Sequence, residues 1–341
     1  MSIATHPHAS SAPSGAARPR AVRIEDVPEP LSATQRFGAL VELTKPGITR
    51  MVTITSAVGF LLAALGRDRP PADLALPALG CILGTALSSS GANALNQWWE
   101  RKRDARMTRT AERPLPEERL TPPGALLAGI VLSVVGVLAL LFTCGPAPAI
   151  VSLVTILWYL LFYTPLKPVT PLNTLVGAVP GALPPLIGWS ATAPLFGMDW
   201  YGGLTSLAEP GGWCLFLLMV VWQIPHFLAI AWMYKDDYAL GGHRMLPIVD
   251  PDGRATSSTI LIWSLTLLLV SISPALIMSD RISPVYGVIA AVSGAWFIGR
   301  ALRLHRSRTR ENARAVFLGS IMHLPLILLA MMADAIITRL F

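Results

Sequence analysis

Nine stretches of this sequence, near residues 47–66, 74–98, 125–143, 147–164, 172–192, 213–233, 259–279, 284–301 and 316–338, are each apolar enough and long enough to cross a ~30 Å hydrocarbon layer. A backbone inside lipid must satisfy its own N–H and C=O groups, so runs of this length are confined to helices. The chain is therefore expected to be all-α, a polytopic membrane protein of nine transmembrane helices around a central cavity. Its composition agrees, with 53% hydrophobic and only 14% charged residues, far from an ordinary soluble domain.

The positive charge is unevenly distributed. With the N-terminus placed in the cytoplasm, 23 of the 27 Lys and Arg lie on the inner side: six up to Arg50, seven in 101–119, Lys167, three in 235–254 and six in 300–314. The outer side holds Arg67, Arg69, Arg281 and Arg339. This asymmetry follows the positive-inside rule and leaves the C-terminus outside. The net charge of +7 thus describes topology and contact with the lipid bilayer, and no nucleic acid partner is implied. Cys81, Cys144 and Cys214 show no metal or redox spacing and are expected as packing residues. Residues 1–42 read as a disordered cytoplasmic N-terminal tail before a transmembrane domain over 43–341, and the tail lacks the apolar core of a secretory signal. Residues 1–23 have three Arg and no acid, which keeps a mitochondrial transit peptide as the alternative. A bacterial cell inner membrane is the expected location, with the mitochondrial inner membrane second.

Two inner segments, 99–124 and 234–258, are long for membrane connections, and both open with carboxylates. Asn96, Glu100 and Asp104 recur at every fourth residue, so on a helix they drift only ~80° around the axis over ~12 Å and share one face. The second segment supplies Tyr234, Lys235, Asp236, Asp237 and Tyr238. Each opens after an even-numbered span, so a helix pair ending in an acidic loop occurs twice in one orientation, and the two loops are expected to face each other. Two converging acidic clusters suit Mg²⁺, which takes a few carboxylates together with phosphate oxygens. Arg109, Arg113 and Lys167 lie on the same side and suit a diphosphate. The run from Gly177 to Gly188 packs three prolines and three glycines into one span, as a kinked packing helix or a cavity wall would.

The spelling Asn96-x-x-x-Glu100-x-x-x-Asp104-x-x-Met107-x-Arg109-Thr110-x-x-Arg113-Pro114 resembles the first acidic motif of the intramembrane UbiA-type prenyltransferases, in the form of their heme O synthase (protoheme IX farnesyltransferase) branch. Tyr163-Thr164-Pro165-Leu166-Lys167, Gly181 to Trp189 and Trp222-Gln223-Ile224-Pro225-His226-Phe227 resemble further motifs of that branch, and Asp237-Tyr238 with Met245-Leu246-Pro247 resembles the second acidic motif. The resemblance covers about residues 40–335. It implies a UbiA-type prenyltransferase fold and transfer of a farnesyl group from farnesyl diphosphate to a vinyl group of protoheme IX (heme B), with addition of water, giving heme O and diphosphate. It further implies a Mg²⁺ cofactor on Asn96, Glu100, Asp104, Asp236 and Asp237. Of these, Asn96, Glu100, Asp104 and Asp237 would be catalytic, with substrate contacts from Arg109, Arg113, Lys167, Tyr163, His226 and Lys235. A heme A synthase or terminal oxidase assembly partner is a further implied contact.

The chain departs from the family pattern at three positions. Glu100 stands where the superfamily usually has Asp, Gly241 stands four residues after Asp237 where a second Asp is usual, and Pro168 stands where the branch often has Arg. His226, on an apolar segment, is either a hydrogen-bonded interior residue or, through the resemblance, a neutral ring that orients or ligates porphyrin iron. His323 is expected as packing, and His6, His8, His243 and His305 carry no signal. Two alternatives remain at this level: an aromatic prenyltransferase acting on a quinone precursor, and a secondary transporter, whose carboxylates would be expected near the bilayer midplane.

Overall fold

The structure, a computed structural model, describes residues 31–193 and 200–340. Among these, all regular elements are helical, and apart from short turns of helix near residues 200–208 and 246–249 they are α1 (Ala33–Leu43), α2 (Pro46–Leu65), α3 (Pro71–Asp104), α4 (Pro122–Cys144), α5 (Pro146–Leu166), α6 (Asn173–Ala182), α7 (Pro184–Ser190), α8 (Pro210–Met233), α9 (Lys235–Leu240), α10 (Arg254–Ile277), α11 (Pro284–Arg306) and α12 (Arg310–Leu340). Eight of them, α2 to α5, α8 and α10 to α12, are long and apolar enough to cross a membrane. Proline occupies the first position of α2, α3, α4, α5, α8 and α11, where its missing N–H costs nothing and its fixed φ favours the first turn.

The ninth expected span, 172–192, is the broken pair α6 and α7, which meet at Leu183. Prolines 180, 184 and 185 remove three ladder donors within six residues, so one straight helix cannot be sustained. The carbonyl of Val176, left without the N–H of Pro180, instead accepts the Trp158 indole N–H at 3.0 Å. A broken span needs close neighbours, and α7 lies directly on α2. A Cβ on Gly188 would fall 1.8 Å from the Ser56 carbonyl oxygen, and one on Gly59 would fall 2.1 Å from that of Pro185.

A buried apolar core from α2, α6, α8 and α10 to α12 centres on residues such as Leu218, Ile260, Phe297 and Ile327. A void of about 10 Å³ lies between Thr55, Val58, Pro185, Leu215, Met219 and Leu328. Large apolar side chains including Phe142, Leu269, Leu276 and Val292 point outward along the long helices. Such surface suits lipid and would be an aggregation hazard in water. The three cysteines are free and buried as expected. His323 is also a packing residue, with Ser293 on Nδ1 at 2.8 Å and Ser271 on Nε2 at 3.2 Å.

The first 30 residues of the expected tail lie outside the described residues. Its last part differs from the expectation, because Ala33–Leu43 forms a helix. Ser32 and Gln35 close a reciprocal capping box at its start. Leu43 then buries against Ala94, Leu115 and Ala125, and Gln97 Nε2 donates to the Leu43 carbonyl at 2.9 Å. Helix α1 is thereby tied across the end of α3.

Candidate active site

Helix α3 runs on past its apolar part to Asp104, so Asn96, Glu100 and Asp104 project from successive turns of one rigid element and all three are buried. Each is met by a cation from elsewhere in the chain. Lys167 Nζ donates to Glu100 Oε2 at 2.7 Å, Arg113 to Asp104 Oδ2 at 2.7 Å, and Lys45 Nζ to Asn96 Oδ1 at 2.8 Å. Asn96 Nδ2 in turn donates to Glu100 Oε2 at 2.9 Å and to Thr164 Oγ1 at 3.1 Å. Glu100 Oε1 is buried and has no partner.

The Tyr163-to-Lys167 segment owes its placement to a local widening of α5. Tyr159–Tyr163 forms one π-helical turn just before Pro165, a common device at functional sites. Thr164 Oγ1 donates to the Tyr159 carbonyl at 2.8 Å. Lys167 Nζ lies 4.7 Å from the centre of the Tyr163 ring. Burial alone would lower the Lys167 pKa, but the Glu100 carboxylate outweighs it and holds the ammonium above its ordinary range.

The two polar loops meet over this cluster. Asp237 Oδ1 accepts from the Thr108 backbone N–H at 2.7 Å, and Gly241 packs against Met107. A third tie comes from Arg244, whose backbone N–H donates to the Lys167 carbonyl at 2.7 Å. Within the first loop, Thr110 Oγ1 donates to the Asp104 carbonyl at 2.8 Å, which turns the chain back so that Arg113 reaches Asp104. Arg109 takes a different position, resting 5.7 Å from the Tyr234 ring centre and 5.5 Å from that of Tyr238.

The structure thus joins Asn96, Glu100, Asp104, Arg113, Tyr163 and Lys167, sets Asp237 and Arg109 at the rim, and leaves Asp236 and Lys235 exposed without a polar contact to the cluster. Among the described residues, no three His, Cys, Asp or Glu side chains converge closely enough to hold a metal ion by themselves. The donor set is nonetheless all oxygen, and the orphaned Glu100 Oε1 is a free hard ligand atom, which fits Mg²⁺ completed by phosphate oxygens.

Two members of the site are not assigned to it from the sequence, where Lys45 counts only as an inner-side charge and His243 carries no signal. Lys45 sits in the turn between α1 and α2 with φ 49 and ψ 68, a left-handed conformation uncommon outside glycine. Burial, helped by the charges of Arg113 and Lys167, pulls its pKa down to about 7. His243 is buried edge-on to Tyr238 with no partner on Nδ1. Burial lowers its pKa, and Glu100 acts in the opposite sense. Only the Ser-x-x-Gln start of α1, which ends beside Lys45, offered a local signal for either.

His226 lies apart from the charged cluster, between α8 and α12. Its Nδ1 is 2.7 Å from Ser320 Oγ, and its ring stacks on Trp222 at 4.6 Å. Ser320 Oγ spends its own proton on the Phe317 carbonyl at 2.6 Å. The hydroxyl must therefore accept from the imidazole, which puts the ring proton on Nδ1 and leaves a lone pair on Nε2.

Residues 52–327 match the UbiA prenyltransferase family. A Protoheme IX farnesyltransferase from Solibacter usitatus is 42% identical over 300 residues, covering 86% of this chain and 97% of that protein. Among solved structures, one of a digeranylgeranylglyceryl phosphate synthase superposes with a TM-score of 0.70 at 17% identity, covering 89% of this chain and 99% of the other. A UbiA homolog from Archaeoglobus fulgidus bound to GPP and Mg²⁺ superposes with a TM-score of 0.52 at 13% identity, covering 89% and 100%. The apolar helices, the broken span and the paired polar loops are those of an integral membrane protein, and the chain belongs to the UbiA prenyltransferase family.

Proposed function

We propose that the protein transfers a farnesyl group from farnesyl diphosphate to a vinyl group of protoheme IX, with addition of water, and releases heme O and diphosphate. The observation that carries this reading is the buried lattice of Asn96, Glu100 and Asp104, each already facing a cation, in a chain 42% identical to a protoheme IX farnesyltransferase along nearly its whole length. Its carboxylates lie at the end of α3, beneath the two polar loops, which suits a headgroup held at the membrane surface better than transport through the midplane.

Asn96, Glu100, Asp104 and Asp237 are the residues we assign to Mg²⁺, with Asp236 near enough in sequence to join them; the A. fulgidus homolog bound to GPP and Mg²⁺ favours the same metal. Bound there, Mg²⁺ would neutralise charge on the diphosphate leaving group. Lys45, Arg113 and Lys167 are paired with Asn96, Asp104 and Glu100, and we assign them to the diphosphate oxygens once substrate arrives. Exchanging one set of partners for the other avoids bare buried charge at either stage. Arg109, on its Tyr234 and Tyr238 shelf, is assigned to the rim of the same clamp, with Lys235 beside it. Charge grows on the diphosphate as the allylic C–O bond breaks, so fixed cations aimed at those oxygens lower the barrier. The vinyl carbon then attacks the allylic carbon as diphosphate leaves, and water adds to the cation left beside the ring and gives up a proton to leave the hydroxyl. His226 is assigned to the acceptor, presenting its Nε2 lone pair.

The farnesyl tail would follow the core from this cluster toward the void at Thr55 and Pro185, where side chains must part to admit it. The excess of Lys and Arg on the face bearing the polar loops supports a cytoplasmic placement of that face in a bacterial inner membrane. The test is direct: purified protein with heme, farnesyl diphosphate and Mg²⁺ should yield a product heavier by a farnesyl group and a hydroxyl. Prenylation of 4-hydroxybenzoate with none of heme would overturn the assignment.

A further inference from the structure

The same end of the bundle carries a second recess that the diphosphate cluster does not use. It is a cleft of about 500 Å³ between the end of α8 and the start of α12, with Met233 and Tyr234 on one wall and Arg310, Arg314 and Phe317 on the other. That size falls within the ~300–1,000 Å³ usual for small-molecule sites. Arg310 and Arg314 are one helical turn apart, so their side chains share a face. Both are exposed, and neither enters an ion pair among the described residues. Glu311 also lines the cleft, which leaves one net positive charge at its mouth.

The position of the cleft ties it to both halves of the reaction. Tyr234 forms its wall on one side and carries the Arg109 guanidinium, 5.7 Å from the ring centre, on the other. Phe317 forms the opposite wall, with its ring 5.2 Å from that of His226. A ligand there sits one side chain from the rim of the diphosphate clamp and one side chain from His226. Aromatic and thioether walls with cations at a single edge suit a flat apolar ring whose anionic groups lie along one side. A phosphate or a lipid headgroup would use the cations and leave the aromatic walls idle.

We propose that this cleft docks the porphyrin acceptor, taking its two carboxylates at Arg310 and Arg314 and its ring face along Tyr234 and Phe317. The assignment rests on the heme-farnesylating reading above. Its test uses the full chain in nanodiscs, one set of phosphatidylcholine alone and one with added phosphatidylglycerol. Heme O formation is measured against heme concentration at saturating farnesyl diphosphate, with protoheme compared to protoheme dimethyl ester, and heme binding is followed by the Soret band. R310Q/R314Q is expected to raise KM for heme at least tenfold, leave kcat within twofold and leave farnesyl diphosphate binding unchanged, equally in both lipids. R310K/R314K keeps the charges and is expected to stay near wild type. Wild-type protein should disfavour the dimethyl ester by a factor similar to the loss in R310Q/R314Q; that comparison stands even if the variant fails to fold. Equal KM for heme and its ester in the wild type would overturn the assignment, as would a variant effect seen only with phosphatidylglycerol. A wild-type protein that forms heme O without discriminating the ester overturns the cleft alone, whereas one that neither binds heme nor forms heme O overturns the functional reading with it.

Discussion

Lys167→Met is expected to weaken both the fold and the reaction, and adding Glu100→Gln separates the two effects. Lys167 and Glu100 meet at 2.7 Å with their side chains only 15% and 5% exposed. Once the ammonium is gone, Glu100 keeps one hydrogen bond, from Asn96 to Oε2, while Oε1 has none. Removing one partner of a buried ion pair typically costs ~3–5 kcal/mol, because a charge is left uncompensated. The Lys45 ammonium also favours the Glu100 carboxylate, which places the expectation at the lower end, about 3 kcal/mol. A glutamine at 100 needs no counter-charge, so K167M/E100Q should recover most of that loss. Turnover should behave otherwise. The proposed diphosphate clamp loses a cation in both variants, and the double variant loses in addition a carboxylate assigned to Mg²⁺. A single missing stabiliser of this kind costs on the order of 10²–10³ in rate, so turnover should stay low in both. Unfolding in detergent followed by tryptophan fluorescence gives the first quantity, and initial rates of heme O formation give the second. Recovery of turnover together with stability in K167M/E100Q would show that neither the Lys167 ammonium nor the Glu100 carboxylate acts on the diphosphate and its metal, and that the pair only neutralises itself. Wild-type stability in K167M would show that the Glu100 carboxylate carries no buried charge.

Three further outcomes follow from the same geometry. Asp237→Asn keeps an oxygen to accept from the Thr108 N–H but loses the charge, so it should hold the two loops together yet lose turnover by roughly 10²-fold; Asp237→Ala should also loosen the loops, seen as faster amide exchange at Thr108, and equal exchange in the two variants refutes the bond. Lys45 is held down to about 7 against an ordinary 10.5, so its burial penalty is fully present below about pH 7, where folded and unfolded chains both carry the proton. Between pH 7 and 10.5 the unfolded chain binds the extra proton, and the stability of the metal-free protein should rise with pH. Lys45→Met should flatten that rise, and an unchanged slope would sink the assignment. Gly188→Leu should abolish monodisperse expression, since even a Cβ there meets the Ser56 carbonyl at 1.8 Å, whereas Gly38→Ala on α1, with no neighbour within 4 Å, should be tolerated.

What could be read from the sequence was what local spacing controls. Every-fourth-residue spacing puts Asn96, Glu100 and Asp104 on one face of any helix, and the structure keeps them there because α3 continues unbroken to Asp104. The Pro and Gly run at 177–188 likewise announces a break, since proline removes donors wherever it falls in a ladder. Spacing fails where the chain must turn. Lys45 is 51 residues from its partner Asn96, and in the sequence its charge only adds to the inner-side excess; a left-handed turn between α1 and α2 brings it into the site. The Ser32 to Gln35 capping box was a legible start for α1, but the Pro- and Ala-rich residues before it suggested a tail through residue 42. Arg109 and Arg113 look equivalent in the motif, four residues apart on one loop. They part because Thr110 folds that loop back onto the end of α3, sending Arg113 inward to Asp104 and leaving Arg109 on the tyrosine shelf. The two arginines should therefore fail differently. Arg113→Gln strips a buried carboxylate of its partner and should lower stability as well as rate, whereas Arg109→Gln, whose parent sits at an exposed rim, should raise KM for farnesyl diphosphate and leave the fold unchanged.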